Sequence, residues 1–196
     1  MTIRSSPLAL TVLALLMGRP LHPYGIQRLI KQWGKDQVVN AGDRTALYRT
    51  IDRLHRAGLI AVRQTERDRL YPERTVYEIT GPGRAIARRW LEAMLATPKA
   101  EYPEFPAALS YVMMLTPAEA LSLLEGRLAH VRQTLSGLAS GLAQMRDLPR
   151  VSGVETEYLY AVTAAEEKWL AALADDLRDG RLVWSPEDFA EAAEDA

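Results

Sequence analysis

Three prolines fall within nine residues, Pro98, Pro103 and Pro106, and a long helix or strand cannot run through such a stretch. Each proline lacks a backbone donor and disfavours helix at the residue before it. The chain is therefore expected to form two bodies, residues 1–97 and 107–196, joined by a linker over 98–106. Charge changes sign at the same place. Up to Thr97 there are 16 Lys and Arg against 8 Asp and Glu, a net +8; from Pro98 onward there are 8 against 17, a net −9. A basic module joined to an acidic one points to a polyanionic partner for the first. The plainer alternative is that both halves carry solvated charged faces.

Residue types exclude much chemistry. Cys is 0, which removes thiol catalysis and thiolate metal sites and fits a reducing, cytoplasmic compartment. The 3 histidines, His22, His55 and His130, lie at no ligand spacing, so neither a metal nor a cofactor is expected. There is no Gly-rich phosphate loop, nucleophile elbow or carboxylate–His pattern. Glu166-Glu167 and Asp175-Asp176 are adjacent on one helix, diverge by about 100° and read as solvated surface. An enzyme is not expected. Arg4 followed by Leu8–Met17 has the look of a signal peptide. However, Gly18-Arg19-Pro20 is no cleavage pattern, and the run is too short to cross a membrane. It is expected to be a buried helix.

The first half punctuates into elements. A helix over Leu8–Met17 starts after Ser5-Ser6-Pro7 and stops at Gly18-Arg19-Pro20. A second runs from near Tyr24 to Trp33, with Ile26, Leu29, Ile30 and Trp33 as its core stripe. A third spans about Asp43 to Arg56, with Asp43 as N-cap, Leu47, Ile51 and Leu54 facing inward, and Ala57-Gly58 as its stop. Thr45, Arg49 and Arg56 lie nearly opposite, flanked by Arg44, Tyr48 and Arg53. The period then changes. Leu59–Arg63 and Arg74–Ile79 read as strands around a polar tip, Thr65–Glu73, and a fourth helix follows from about Arg84 to Leu95.

Three helices, a basic hairpin and a further helix describe a winged helix-turn-helix. The third helix would read the major groove through Arg44, Thr45, Tyr48, Arg49 and Arg53. Arg67, Arg69 and Arg74 of the wing would meet phosphates or a minor groove. The runs His22-Pro-Tyr24-Gly25, Ala46–Ile60 and Arg74–Gly83 resemble the PadR family of bacterial transcriptional regulators. The second half, from Glu104-Phe105 through Leu115-Thr-Pro-Ala-Glu119-Ala to Arg127, is similar to the larger PadR subclass, whose C-terminal domain is helical and dimerising. The resemblance implies a dimeric regulator, usually a repressor, released from its operator by an effector or signal. It places Tyr24 at the entry of the second helix, Tyr48 on the recognition helix and Tyr77 in the second wing strand. The segment Lys35–Gly42 departs from the family pattern, so operator sequence cannot be carried over.

In the second half, Thr116-Pro117-Ala118-Glu119 is a capping box. Leu121, Leu124, Leu128, Val131, Leu135, Leu138, Leu142 and Met145 then recur in steps of three and four. A helix from Pro117 to about Arg146 with so narrow a seam needs a partner helix. Val154 to about Arg178 supplies one within the chain, while a second copy is the expected intermolecular partner, through Leu121, Leu124, Leu128, Val131, Leu135, Leu138 and Leu142. Ser185–Asp188 would cap a short last helix. Trp90, Trp169, Tyr111 and Tyr158 are candidates for an effector pocket, although such residues at helical spacing also serve as core.

The expected fold class is mainly α with a small β-wing: a winged helix-turn-helix followed by a long-helix, coiled-coil-like dimerisation domain. The expected partners are double-stranded operator DNA, a second copy and a small-molecule effector, with no membrane. A winged-helix protein–protein adaptor without DNA binding and a transcriptional activator are the rival readings.

Overall fold

The computed structural model describes residues 3–39, 44–68 and 71–187, of which 65–68 and 71–74 by backbone alone. The chain divides into two compact units, Met1–Ala100 and Glu101–Ala196.

The first unit contains α1 (Pro7–Gly18), α2 (Pro23–Gln32), α3 (Arg44–Arg56), β1 (Ile60–Asp68), β2 (Tyr71–Ile79) and α4 (Gly81–Ala96). Its helix starts are chemically specified. Ser6 accepts a hydrogen bond from the Ala9 amide, and Thr80 accepts one from the Gly83 amide. The α2 cap is a histidine: the His22 ring nitrogen accepts from the Gly25 amide at 2.9 Å. All three helices carry proline in their first turn, where the missing N–H costs nothing.

The apolar run read as a buried helix is α1, and Ala9, Val12, Leu13, Leu15 and Leu16 lie in the core. Around them pack Ile26, Leu29 and Ile30 of α2, Leu47, Ile51 and Leu54 of α3, Ile60 and Ile79 of the hairpin, and Ala87 and Trp90 of α4. Each fully buried Leu or Ile contributes about 2 kcal/mol of hydrophobic stabilisation.

Two sequence expectations change here. Trp33 does not join the α2 stripe: the helix ends at Gln32, Gly34 turns left-handed at φ 64°, and the indole is 55% exposed. The hairpin arms are longer than Leu59–Arg63 and Arg74–Ile79, reaching Asp68 and back from Tyr71 through most of the supposed tip. They pair antiparallel, Ile60 with Ile79 and Glu66 with Arg74, with register shifts between Val62 and Gln64 and between Glu66 and Asp68. Such irregularities increase the local twist of a ribbon.

The second unit contains α5 (Glu104–Leu109), α6 (Pro117–Gln144) and α7 (Val154–Arg178). Helix α5 begins inside the proline-rich segment, with Pro103 as its cap residue. The α6 capping box is complete, the Thr116 hydroxyl accepting from the Glu119 amide and the Glu119 carboxylate from the Thr116 amide. Helices α6 and α7 pack as a hairpin whose core is Leu124, Leu128, Val131, Leu170 and Leu177, with Leu121, Leu173, Phe105, Leu109 and Trp184 packed against it. After α7 the chain returns to this core, where the Trp184 indole donates to the Leu115 carbonyl at 2.7 Å. The expected last helix starts at Pro186, and its continuation lies outside the described residues.

Glu166 and Glu167 are not a merely solvated pair. Arg127 donates to Glu166 at 2.6 Å and Arg132 to Glu167 at 2.8 Å, while Arg178 of α7 reaches Glu125 of α6 at 2.6 Å. Exposed pairs of this kind add about 0–1 kcal/mol each. Their placement on both sides of the apolar seam fixes the register of the hairpin.

Candidate nucleic-acid interface

Helix α3 buries Leu47, Thr50, Ile51 and Leu54 and turns Arg44, Thr45, Tyr48, Arg49, Asp52, Arg53 and Arg56 outward. The division follows from a period of 3.6 residues per turn. Tyr48 is 52% exposed beside the arginines. Arg56 is held within the helix by Asp52 at 2.7 Å, whereas Arg44, Arg49 and Arg53 have no ion pair among the described residues. Guanidiniums on a helix surface without carboxylate partners among the described residues can donate to phosphates and, in bidentate fashion, to guanine edges. The expected N-cap, Asp43, lies outside the described residues.

The end of this helix is built to hold an angle. Gly58, at φ 69°, donates to the His55 carbonyl at 2.9 Å, and Leu59 donates to the Leu54 carbonyl at 3.0 Å. This is a Schellman stop, with Leu54 and Leu59 both buried beneath it. The Thr80 hydroxyl then donates to the Gly58 carbonyl at 2.7 Å, tying the start of α4 to the end of α3. Gly83 approaches so closely that a Cβ there would stand 2.0 Å from the Leu59 carbonyl oxygen. Helix α3, the wing and α4 thus meet at one corner.

Arg67 and Arg74 belong to the wing strands, where the backbone alone is described, and Arg69 lies outside the described residues. Near the wing base, Arg63 and Glu78 form a cross-strand pair at 3.6 Å. Tyr77 is half-buried on β2. Its hydroxyl is held above the ordinary tyrosine value by burial first, then by the Asp52 carboxylate and the Tyr48 phenol.

Comparison with known proteins places this geometry. The model of the Transcriptional regulator PadR-like family matches residues 12–89, from within α1 to within α4. No curated protein sequence matches the chain closely enough to count. Among solved structures, Bacillus subtilis PadR in complex with operator DNA is 18% identical, with a TM-score of 0.71 over 88% of this chain and 99% of that one. The same protein with p-coumaric acid gives the same values. The Vibrio cholerae virulence activator AphA is 17% identical, with a TM-score of 0.63 over 88% of this chain and 98% of that one. At these identities the structural likeness shows the fold.

Residues 12–89 are thus similar to the PadR-like family of transcriptional regulators, and the fold is that of the solved PadR structures. That family is one of regulators rather than enzymes. The winged-helix fold expected from the sequence is the one observed.

Sequence reasoning missed part of the basic surface of the first unit. Tyr24, Arg28 and Lys31 are exposed at spacings of four and three along α2, opposite Ile26, Leu29 and Ile30. The first helix of a helix-turn-helix crosses the DNA backbone, which is where such a row would serve. The same periodicity that exposed the α2 core could have revealed it.

The second unit lies beyond the family match. Of its seam, Leu124, Leu128, Val131 and Leu138 are buried, with Leu121, Leu135 and Leu142 partly so. For the central ones the partner is α7 of the same chain. The outward row of α7 is apolar instead: Val154, Tyr158, Val162 and Trp169 are exposed, Tyr158 by 69%.

The four aromatic candidates for an effector pocket are dispersed. Trp90 is buried in the core of the first unit, while Tyr111, Tyr158 and Trp169 belong to the second. The Trp169 ring meets Phe105 edge-on at 6.2 Å. Tyr111 lines a cleft of about 280 Å³ with Phe105, Leu109, Leu115, Leu124 and Arg127. The Arg127 guanidinium lies 3.5 Å from the Phe105 ring centroid. Among the described residues no metal-binding cluster occurs, and no helix is long and apolar enough to cross a membrane.

Proposed function

We propose that the chain is a homodimeric, sequence-specific DNA-binding repressor that acts in the cytoplasm and leaves a palindromic operator when a small molecule binds. The observation that carries this reading is α3: Arg44, Arg49 and Arg53 project without carboxylate partners among the described residues beside the exposed Tyr48, on a helix locked to a wing. The wing arginines Arg67, Arg69 and Arg74 and the α2 row Arg28 and Lys31 would add phosphate contacts, which position the protein without reading sequence.

The dimer would form through the second unit. Because α7 already covers the leucine seam, the α7 row Val154, Tyr158, Val162 and Trp169 is the better candidate for contact between copies. A two-fold pairing of these units would set two recognition helices about 34 Å apart, one turn of DNA. A relative solved with p-coumaric acid supports small-molecule control, and the cleft beside Arg127 and Tyr111 is a place such a molecule would fit. An effector that re-angles the long helices would cost affinity without touching a base.

Activation is the second reading, favoured by the likeness to a virulence activator. A reporter with the operator overlapping the promoter separates the two: loss of transcription supports repression, gain supports activation.

Selection of tight binders from random duplexes tests the proposal. Enrichment of an inverted repeat with half-sites about 10 base pairs apart is expected. Failure to enrich any sequence would support the adaptor reading.

A further inference from the structure

Tyr77 joins three elements that the helix-turn-helix has to keep in register. Its backbone exchanges two hydrogen bonds with Leu21, between α1 and α2, at 2.9 and 3.0 Å, outside the hairpin pairing. Its ring meets His55, in the last turn of α3, edge-on at 5.8 Å and 70°. His55 lies three residues beyond Asp52 and seven beyond Tyr48, so all three share one flank of α3. On its other side, Tyr77 pairs with Val62 of β1. The phenol therefore sits between the wing, the entry to α2 and the flank of the recognition helix.

Base reading is demanding about angle. Hydrogen bonds weaken steeply as donors leave the acceptor line, whereas attraction to phosphates falls off slowly with distance. A small roll of α3 would spoil contacts by Tyr48, Arg49 and Arg53 to base edges while leaving backbone attraction almost untouched.

We propose that Tyr77 is a specificity-determining positioning residue, whose ring, braced through Leu21 and packed on His55, sets the roll of α3 relative to the wing. The inference rests on α3 being the recognition helix. It assigns Tyr77 no contact with DNA.

The test measures affinity of the intact protein for a selected operator duplex and for a scrambled one, in wild type and in Tyr77→Phe, Tyr77→Ala, His55→Ala and Arg49→Ala. Tyr77→Ala should lower the operator-to-scrambled ratio by about tenfold, equivalent to one base contact, with scrambled-duplex affinity unchanged. Tyr77→Phe keeps the ring and should retain the ratio. His55→Ala removes the partner from the exposed side and should lower the ratio by about threefold, roughly half the free energy of that contact. If Tyr77→Ala does not fold by circular dichroism, His55→Ala decides. A ratio unmoved by His55→Ala, or by a folded Tyr77→Ala, overturns the proposal. Arg49→Ala keeps the two readings apart: an undiminished ratio there means that α3 is not the recognition helix, whatever Tyr77 does.

Discussion

The exposed surface of α3 and the second unit treat arginine differently. In the second unit, Arg127, Arg132, Arg150, Arg178 and Arg181 each meet a carboxylate. On α3, Arg44, Arg49 and Arg53 meet none among the described residues. Pairing distinguishes an interaction surface from a scaffold better than counting does. A neutralised guanidinium holds helices in register, whereas an unpaired one has its donors and charge available for phosphate or guanine. One exposed row of α7 differs too: Val154, Tyr158, Val162 and Trp169 carry no charge.

The sharpest way to separate the units is Gly83→Ala. A Cβ would press on the Leu59 carbonyl oxygen at 2.0 Å, and backbone cannot yield as a flexible side chain does. The expected loss is about 3 kcal/mol or more, at or above the upper end of overpacking costs. Calorimetry should show the first unit melting early with the α6–α7 transition in place. Joint early loss of both would mean that the units do not fold separately.

Next in size is the double change Arg49→Ala and Arg53→Ala. Losing two base-reading groups should weaken operator binding by about a hundredfold or more. Light scattering should find the same assembly state as wild type. A smaller consequence is expected from Arg132→Ala, which breaks the pair with Glu167 and should cost about 0.5 kcal/mol in a denaturation curve. A larger cost there would mark the ladder as a principal source of stability.

The smallest effect concerns pH. Glu119 is held below the ordinary carboxylate range by its hydrogen bonds from the Thr116 side chain and backbone. A carboxylate depressed in the folded state stabilises above its unfolded pKa, and that contribution is lost as pH falls through the folded value. The first turn of α6 should therefore fray in acid. Glu119→Gln should flatten this part of the acid profile, as followed by circular dichroism.

Much of the first unit was legible because its signals are local. Ala57-Gly58 marked the end of α3, Thr80-Gly81-Pro82-Gly83 marked the break before α4, and the Leu47, Ile51 and Leu54 spacing gave the α3 face. The wing was harder. Beyond Arg63 the sequence is mostly polar and shows no alternation, so Thr65 to Glu73 read as a tip while most of it is strand. Gly34 marked the stop of α2, but Trp33 misled because it is the C-cap residue rather than part of the last turn. His22 was overlooked because an imidazole is an uncommon cap.

In the second unit α5 was hidden by its prolines, which a first helical turn tolerates. The seam showed that α6 needs a partner, but seams carry no label for the chain that supplies it. Within one chain α7 supplies it, and the crossing arginine–glutamate pairs join residues 35 to 53 apart, beyond any local signal.

The central claim is that the basic surface of α3 reads DNA sequence. Fluorescence anisotropy of the purified protein on its own upstream DNA and on a scrambled duplex, across a salt series, tests it most directly. The account predicts tighter binding to the upstream duplex, with affinity falling steeply against log salt as phosphate contacts release counterions. No binding to either duplex at low salt would contradict it.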